Sequence, residues 1–196
     1  MSTFSRFVLQ ATCLLALPAL AQSSTQMGIQ ASFLRPQSDI LRSAVDDKTG
    51  LDVGVHGALD FGGGHLLRPR LDYLHFPTRT DTYSGGITSD YKLNGLSLGV
   101  DYLYHLERAT RGFYVLAGLA VTRWKIETDD VSIITFPPNP PVVTRTPVNE
   151  TSTKAGFAFG AGYQFTPRFG IEGRYQVGRI FNSDANLFQA GATFRF

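Results

Sequence analysis

The chain has 196 residues, with 18 Lys and Arg against 16 Asp and Glu, a formal charge of +2. Charged residues make up only 17% of it, below the roughly 25% usual for soluble domains, while 12% is aromatic and 20 residues are Gly. The length fits one ordinary domain. The composition excludes a disordered chain, the charge balance argues against a nucleic-acid surface, and no apolar run is long enough for a classical spanning helix.

Residues 1–21 have the form of a cleaved signal peptide. Arg6 precedes an apolar stretch from Phe7 to about Leu17, and Ala19-Leu20-Ala21 is a small-x-small cleavage site before Gln22. Cys13, the only cysteine, lies in this segment. The remainder, 22–196, is then expected to be one domain without disulfides or thiolate metal sites.

From there on the sequence alternates between apolar and polar residues. Strands are expected over 27–35, 50–61, 65–76, 91–106, 112–127, 154–165, 169–181 and the C-terminal segment ending at Phe196. In 51–61, Leu51, Val53, Val55, Leu59 and Phe61 oppose Asp52, Gly54, His56, Ala58 and Asp60. A period of two is the strand signature. Most of these segments are longer than a soluble strand of about 5–6 residues and match the 9–11 residues of a tilted membrane-spanning strand. Segment 113–124 is apolar on both faces, so its register stays open, and Pro69 inside the third strand predicts a bulge.

The connections alternate as well. Gly62-Gly63-Gly64, 107–111 and Thr166-Pro167-Arg168 are short; 36–49, 77–90 and 128–152 are long. That is the pattern of an up-and-down barrel with one short rim and one elaborated rim. The polar face is rich in Gly and in charges of both signs, while aromatics such as Phe165, Phe169, Tyr104, Phe188 and Phe196 sit near strand ends. Both features favour an apolar exterior facing lipid over a soluble barrel. The expected fold is all-β: an eight-stranded antiparallel up-and-down transmembrane β-barrel, preceded by the cleaved signal peptide.

The last strand, Leu187-Phe188-Gln189-Ala190-Gly191-Ala192-Thr193-Phe194-Arg195-Phe196, carries a resemblance. With the strand pattern before it, the chain resembles the small eight-stranded outer-membrane barrels of the OmpA transmembrane-domain and OmpX type. The resemblance implies location in the bacterial outer membrane, contact with outer-membrane lipids, and recognition of Phe188, Phe194 and Phe196 by the barrel-assembly machinery.

In the expected register the lumen receives Asp52, Asp60, Asp72, Asp101 and Glu172 together with Arg68, Arg70, Lys154, Arg174 and Arg195. An eight-stranded interior is only just wide enough for side chains, and buried charges need partners. These residues read as a salt-bridged plug; a narrow gated channel is the alternative. His56 and His105 point inward, where each can bond a carboxylate. His75 with Ser84 or Ser89 is the closest approach to a hydrolytic pair, as in a lipid A deacylase-like enzyme, but that family's His-x-Ser-Asn pattern is absent. No HExxH or other metal-ligand spacing occurs. No catalytic, cofactor or metal residue is therefore assigned. The expected role is non-enzymatic: structure, or contact with an extracellular or envelope protein through loop 128–152, which holds Pro137, Pro138, Pro140, Pro141 and Arg145.

Overall fold

The computed structural model describes residues 24–83, 87–107, 111–134 and 142–196. The expected signal peptide and the proline run Pro137–Pro141 lie outside them. The elements are β1 (Ser24–Pro36), α1 (Asp39–Ala44), β2 (Gly50–Asp60), β3 (His65–His75), β4 (Arg79–Tyr83), β5 (Ile87–His105), β6 (Gly112–Ile134), β7 (Val142–Gln164), β8 (Phe169–Val177), β9 (Arg179–Ile180), β10 (Ser183–Asp184) and β11 (Leu187–Arg195).

β1, β2, β3, β5, β6, β7, β8 and β11 form a closed antiparallel ring. It closes where β1 meets β11, with Gly28 opposite Arg195 and Pro36 opposite Leu187. Closure removes every sheet edge within the wall, the only way a sheet can cross a membrane. The short turns sit at one rim. Gly62, Gly63 and Gly64 all take positive φ, which Gly adopts at little cost, and Asp60 accepts the Gly62 N–H at 2.8 Å. At the next short turn the Thr166 hydroxyl accepts the Phe169 N–H at 2.9 Å.

Alternation sorts the two faces. Outward-facing Leu119, Phe33 and Leu98 are 71%, 65% and 65% exposed. They belong to an apolar band that runs around every wall strand, far beyond the patch a water-soluble monomer leaves exposed. Lipid covers it. β6 resolves the open register: Tyr114, Leu116, Ala120, Thr122 and Trp124 are buried, and Phe113, Val115, Leu119 and Val121 face outward.

Several expectations are corrected. Pro69 makes no bulge. The β2–β3 register is the same on both sides of it, with His56 opposite Arg70 and Leu59 opposite Leu67. Pro69 has no N–H to donate, and the ladder lapses at Gly57 and Ala58 without an inserted residue. The long loops are also more ordered than their polarity suggested. Segment 36–49 holds α1, 77–90 holds β4 and the start of β5, and 182–186 contributes to the β9–β10 hairpin. Segment 128–152 is mostly strand: the β6–β7 ladder runs unbroken from Gly112 opposite Gln164 to Ile134 opposite Val142. Its β-branched residues suit strand pairing.

Candidate functional site: the lumen and the extended hairpin

One strand displays the layering of the lumen. Every second residue of β3 points inward: Leu66, Arg68, Arg70, Asp72 and Leu74, all buried. Leu66 joins Ala58, Leu103, Tyr114 and Leu116 in an apolar cluster toward the short-turn rim. Leu74 joins Leu34, Phe76, Leu93, Trp124 and Leu187 in a second cluster toward the long-loop rim. There α1 contributes Leu41 and Val45, and the turn after β8 contributes Ile180 and Ala185.

The charges lie between these layers. Arg68 donates to Glu172 Oε2 at 2.7 Å and to Asp101 Oδ2 at 2.9 Å. Arg70 donates through Nε to Asp101 at 3.1 Å and through Nη1 to Asp72. Arg174 pairs with Glu172 and lies 3.5 Å from Asp101. Tyr114 donates to Glu172 at 3.0 Å, and the Gln30 amide donates to Asp72. Each carboxylate therefore meets guanidinium donors, the arrangement that lets charge persist out of water.

Not every expected lumen charge joins this network. Asp60 serves the Gly62 turn at the rim. Lys154 is half-buried and enters no ion pair among the described residues. Asp52 and Arg195 are buried, yet neither forms an ion pair among the described residues, and both Asp52 oxygens lack a hydrogen-bond partner. His56 and His105 do not bond carboxylates: their ring nitrogens have no partner among the described residues. His105 packs against Tyr114 with ring centroids 5.1 Å apart.

Sequence reasoning missed Tyr114 and Gln30 as partners, and it missed how room is made for the acids. A Cβ on Gly118 would fall 2.1 Å from Asp101 Oδ1, and one on Gly54 would fall 2.2 Å from Asp72 Oδ1. An inward-facing Gly cross-strand from an inward acid is the signal that could have found this.

The second candidate region stands outside the band. β4, β5, β6 and β7 continue beyond the wall as a four-stranded sheet. β8 begins to pair with β7 only at Phe157 opposite Val177. β7 above that level is an edge, and Thr144–Thr151 are exposed along it. Arg145 lies there opposite Val131, and Pro147 opposite Asp129. Proline on an edge blunts pairing with other strands. Glu127, hydrogen-bonded to Lys125, is held below the usual carboxylate range. Asp47 is lowered in the same way by its hydrogen bonds to Arg42 at 3.0 and 3.2 Å, just past the end of α1. A cavity of about 500 Å³ opens beside α1, lined by Leu41, Tyr91, Lys92, Ile126, Ile180 and Phe181 among others. Arg79 on its rim bonds Asp81 at 2.8 Å and lies 5.5 Å over the Tyr91 ring.

The candidate hydrolytic residues are otherwise engaged. His75 shares a 2.8 Å hydrogen bond with Asn94, and Ser89 donates to the Asp129 carbonyl. Ser84 lies outside the described residues. No group of three or more His, Cys, Asp and Glu is placed to hold a metal among the described residues. On the outer wall, Phe188, Phe194 and Phe196 are exposed, and Phe196 donates its N–H to the Met27 carbonyl at 3.0 Å.

Residues 7–196 match the family described as the outer membrane protein beta-barrel domain. No curated protein matches the sequence. Among solved structures, Ail, the attachment invasion locus protein of Yersinia pestis, in complex with the heparin analogue sucrose octasulfate, superposes with a TM-score of 0.58 at 12% identity. The match covers 89% of this chain and 99% of Ail. Neisserial surface protein A gives 0.53 at 15% identity over 89% and 99%. The N-terminal barrel of Pseudomonas aeruginosa OprF gives 0.51 at 14% identity over 89% and 100%. At these identities the likeness is one of fold. The closed ring, the outward apolar band and the family match agree: the chain belongs to the outer membrane protein beta-barrel domain family and is a barrel of the bacterial outer membrane.

Proposed function

We propose that the protein is a non-enzymatic surface-interaction barrel whose lumen carries no solute and whose contact region is the extension built from β4 to β7. The observation that carries this reading is the length of β6 and β7, 23 residues each. About 9–11 suffice to cross a bilayer, so more than half of this hairpin serves something other than spanning. Its exposed side chains, Arg145 and Asn149 among them, stand on a rigid ribbon, the kind of platform from which recognition works best. Two structural neighbours, an attachment protein crystallised with a heparin analogue and a surface protein, fit a role at the cell surface. The proline run Pro137, Pro138, Pro140 and Pro141, which lies between β6 and β7 in the sequence, is proposed as part of the contact.

The layering supports reading the lumen as sealed: an ion crossing it would have to pass two apolar layers and break a paired charge cluster. Outer-membrane lipids cover the band, and the aromatic C-terminus is proposed as the strand read by the assembly machinery. The domain division is proposed as signal peptide 1–21 and barrel 22–196. The enzyme reading is weaker, because His75 and Ser89 each have a different partner.

Replacing 129–147 with a two-residue turn tests the contact reading. The trimmed barrel is expected to keep its heat-modifiable gel mobility and to lose adhesion of expressing cells to surfaces coated with extracellular proteins. Retained adhesion would move the activity to the wall, α1 or the lumen.

A further inference from the structure

The cavity beside α1 is assembled from five segments far apart in the sequence: α1, β4, β5, β6 and the β9–β10 hairpin. Its floor is closed. Leu41, Leu93 and Ile180 are at most 5% exposed and belong to the apolar cluster at the long-loop end of the lumen. Its sides are open. Ile40 on α1 is 55% exposed, and Ile126 and Phe181 are only half-buried. These side chains stand beyond the wall, where lipid does not cover them, and apolar surface left against water is unfavourable. The volume, about 500 Å³, falls within the roughly 300–1,000 Å³ of small-molecule sites, which are likewise mostly apolar with a few polar groups.

Phe181 is held in this cavity against its backbone preference. Ile180 pairs with Ser183, so Phe181 and Asn182 form a two-residue turn. Phe181 takes φ 51° and Asn182 is not positive. That is the type II′ pattern, whose first position normally belongs to Gly; a bulky residue rarely enters this region. The Phe181 N–H donates to the Ser152 hydroxyl at 2.8 Å, and the side chain packs on the floor cluster. Glycine would relieve the turn and remove a wall of the cavity. Backbone strain of this kind persists where the surrounding structure needs the side chain in place.

The lining carries charges but leaves none free for a ligand. Arg79 donates to both Asp81 oxygens at 2.8 Å and to the Ser43 carbonyl. Lys92 stands cross-strand from Glu127, whose carboxyl is lowered by Lys125 and also by Lys92. The remaining polar groups include the hydroxyls of Ser43, Thr128 and Ser183. We propose that this cavity binds an uncharged small molecule with an apolar aromatic or alicyclic body and a hydroxyl or carbonyl group at one end. The body lies on Leu41, Leu93 and Ile180 against Phe181, and the polar end meets the hydroxyls. A carboxylate or ammonium would give up hydration without gaining a counter-ion. The site is independent of the contact region on the β6–β7 hairpin, because shortening 129–147 leaves Ile126 and Thr128 in place.

The test uses the full-length protein refolded into nanodiscs of zwitterionic lipid, with isotope-labelled isoleucine methyls followed by NMR. The probes are 2-naphthaleneethanol, 2-naphthaleneacetate and 2-naphthaleneethylamine, which share one body and differ in charge. With the alcohol, saturable shifts are expected at Ile40, Ile126 and Ile180. Ile29 and Ile171 face lipid on the wall, 50% and 46% exposed, and should drift linearly as the probe partitions into the bilayer. The carboxylate and the amine should bind at least on the order of tenfold more weakly. Phe181→Gly should keep the unboiled gel mobility of a folded barrel and weaken the alcohol on the order of tenfold. Thr128→Phe fills the cavity from a strand, where aromatics are favourable, and should abolish the saturable shifts; gel mobility again checks folding. Linear drift at all five isoleucines overturns the site. Equal or tighter binding of the carboxylate or the amine overturns the uncharged assignment. Unchanged binding in folded Phe181→Gly or Thr128→Phe overturns the placement of the ligand.

Discussion

Arg68→Met removes the centre of the lumen network. Arg68 is fully buried and holds Glu172 at 2.7 and 3.2 Å and Asp101 at 2.9 Å. Met fills similar volume without charge. Asp72, Asp101 and Glu172 would then face only Arg70 and Arg174, leaving one uncompensated negative charge between two apolar layers. Removing one partner from a buried ion network costs about 3–5 kcal/mol. Trp124, the only tryptophan, is 2% exposed in the cluster just above, so its fluorescence during urea unfolding in micelles reports the loss directly. The double variant Arg68→Met/Glu172→Gln restores the charge balance and should recover part of the cost, giving a coupling of about 0.5–3 kcal/mol between the two sites. A single variant within about 1 kcal/mol of the parent, or additive effects in the cycle, would refute the idea that these charges are mutually dependent.

Other outcomes follow from neighbouring features. Gly118→Ala should cost roughly 1–3 kcal/mol, because the new methyl meets Asp101 Oδ1 at 2.1 Å and must displace it from Arg68 and Arg70; the same fluorescence assay checks it. Deleting Phe196 removes the N–H that bonds the Met27 carbonyl beside the β1–β11 seam, and should reduce outer-membrane yield more than deleting Asn149 does, measured by blotting the membrane fraction. Asp47 has its carboxyl lowered by Arg42. A lowered carboxylate stabilises above its unfolded value and loses that contribution as pH falls through the folded one. The protection of amides at the end of α1, taken relative to their intrinsic exchange rate at each pH, should therefore stay constant through neutral pH and fall only once the pH drops below about 4, the ordinary Asp value; loss of protection already at pH 6 would contradict it.

The barrel was readable because its chemistry repeats every two residues. A strand covered by lipid outside and by side chains inside has no freedom to blur that period, so Leu51, Val53 and Val55 against Asp52, Gly54 and His56 declare their faces in one dimension. Segment 113–124 did not, because its inward residues include Leu116, Ala120 and Trp124, which are buried in the lumen and are as apolar as the lipid-facing set. In sequence, the segments outside the membrane look like loops for the opposite reason. In water both faces of the β6–β7 hairpin can be polar, so Thr144, Thr146 and Asn149 show no alternation although they pair as regularly as the wall. The lumen charges were legible as a set but not as pairs. Which acid meets which arginine depends on register across strands distant in sequence, such as Arg68 with Glu172, and on Gly118 and Gly54, whose importance is the side chain they lack. Pro69 misled because a proline in a closed sheet can be absorbed by dropping two ladder pairings as well as by a bulge.

Orientation underlies the surface role and the assembly seam alike, and it can be measured directly. Cys13, the only native cysteine, falls in the segment proposed to be cleaved, so the mature barrel gives no background to thiol reagents. Asn149→Cys on the extension and Arg168→Cys on the short-turn rim should be probed with a membrane-impermeant maleimide on intact cells and again after permeabilisation. Labelling of Asn149→Cys on intact cells, with Arg168→Cys reacting only after permeabilisation, is the predicted result. Labelling of Arg168→Cys on intact cells while Asn149→Cys stays protected would invert the barrel and remove the basis for a surface function.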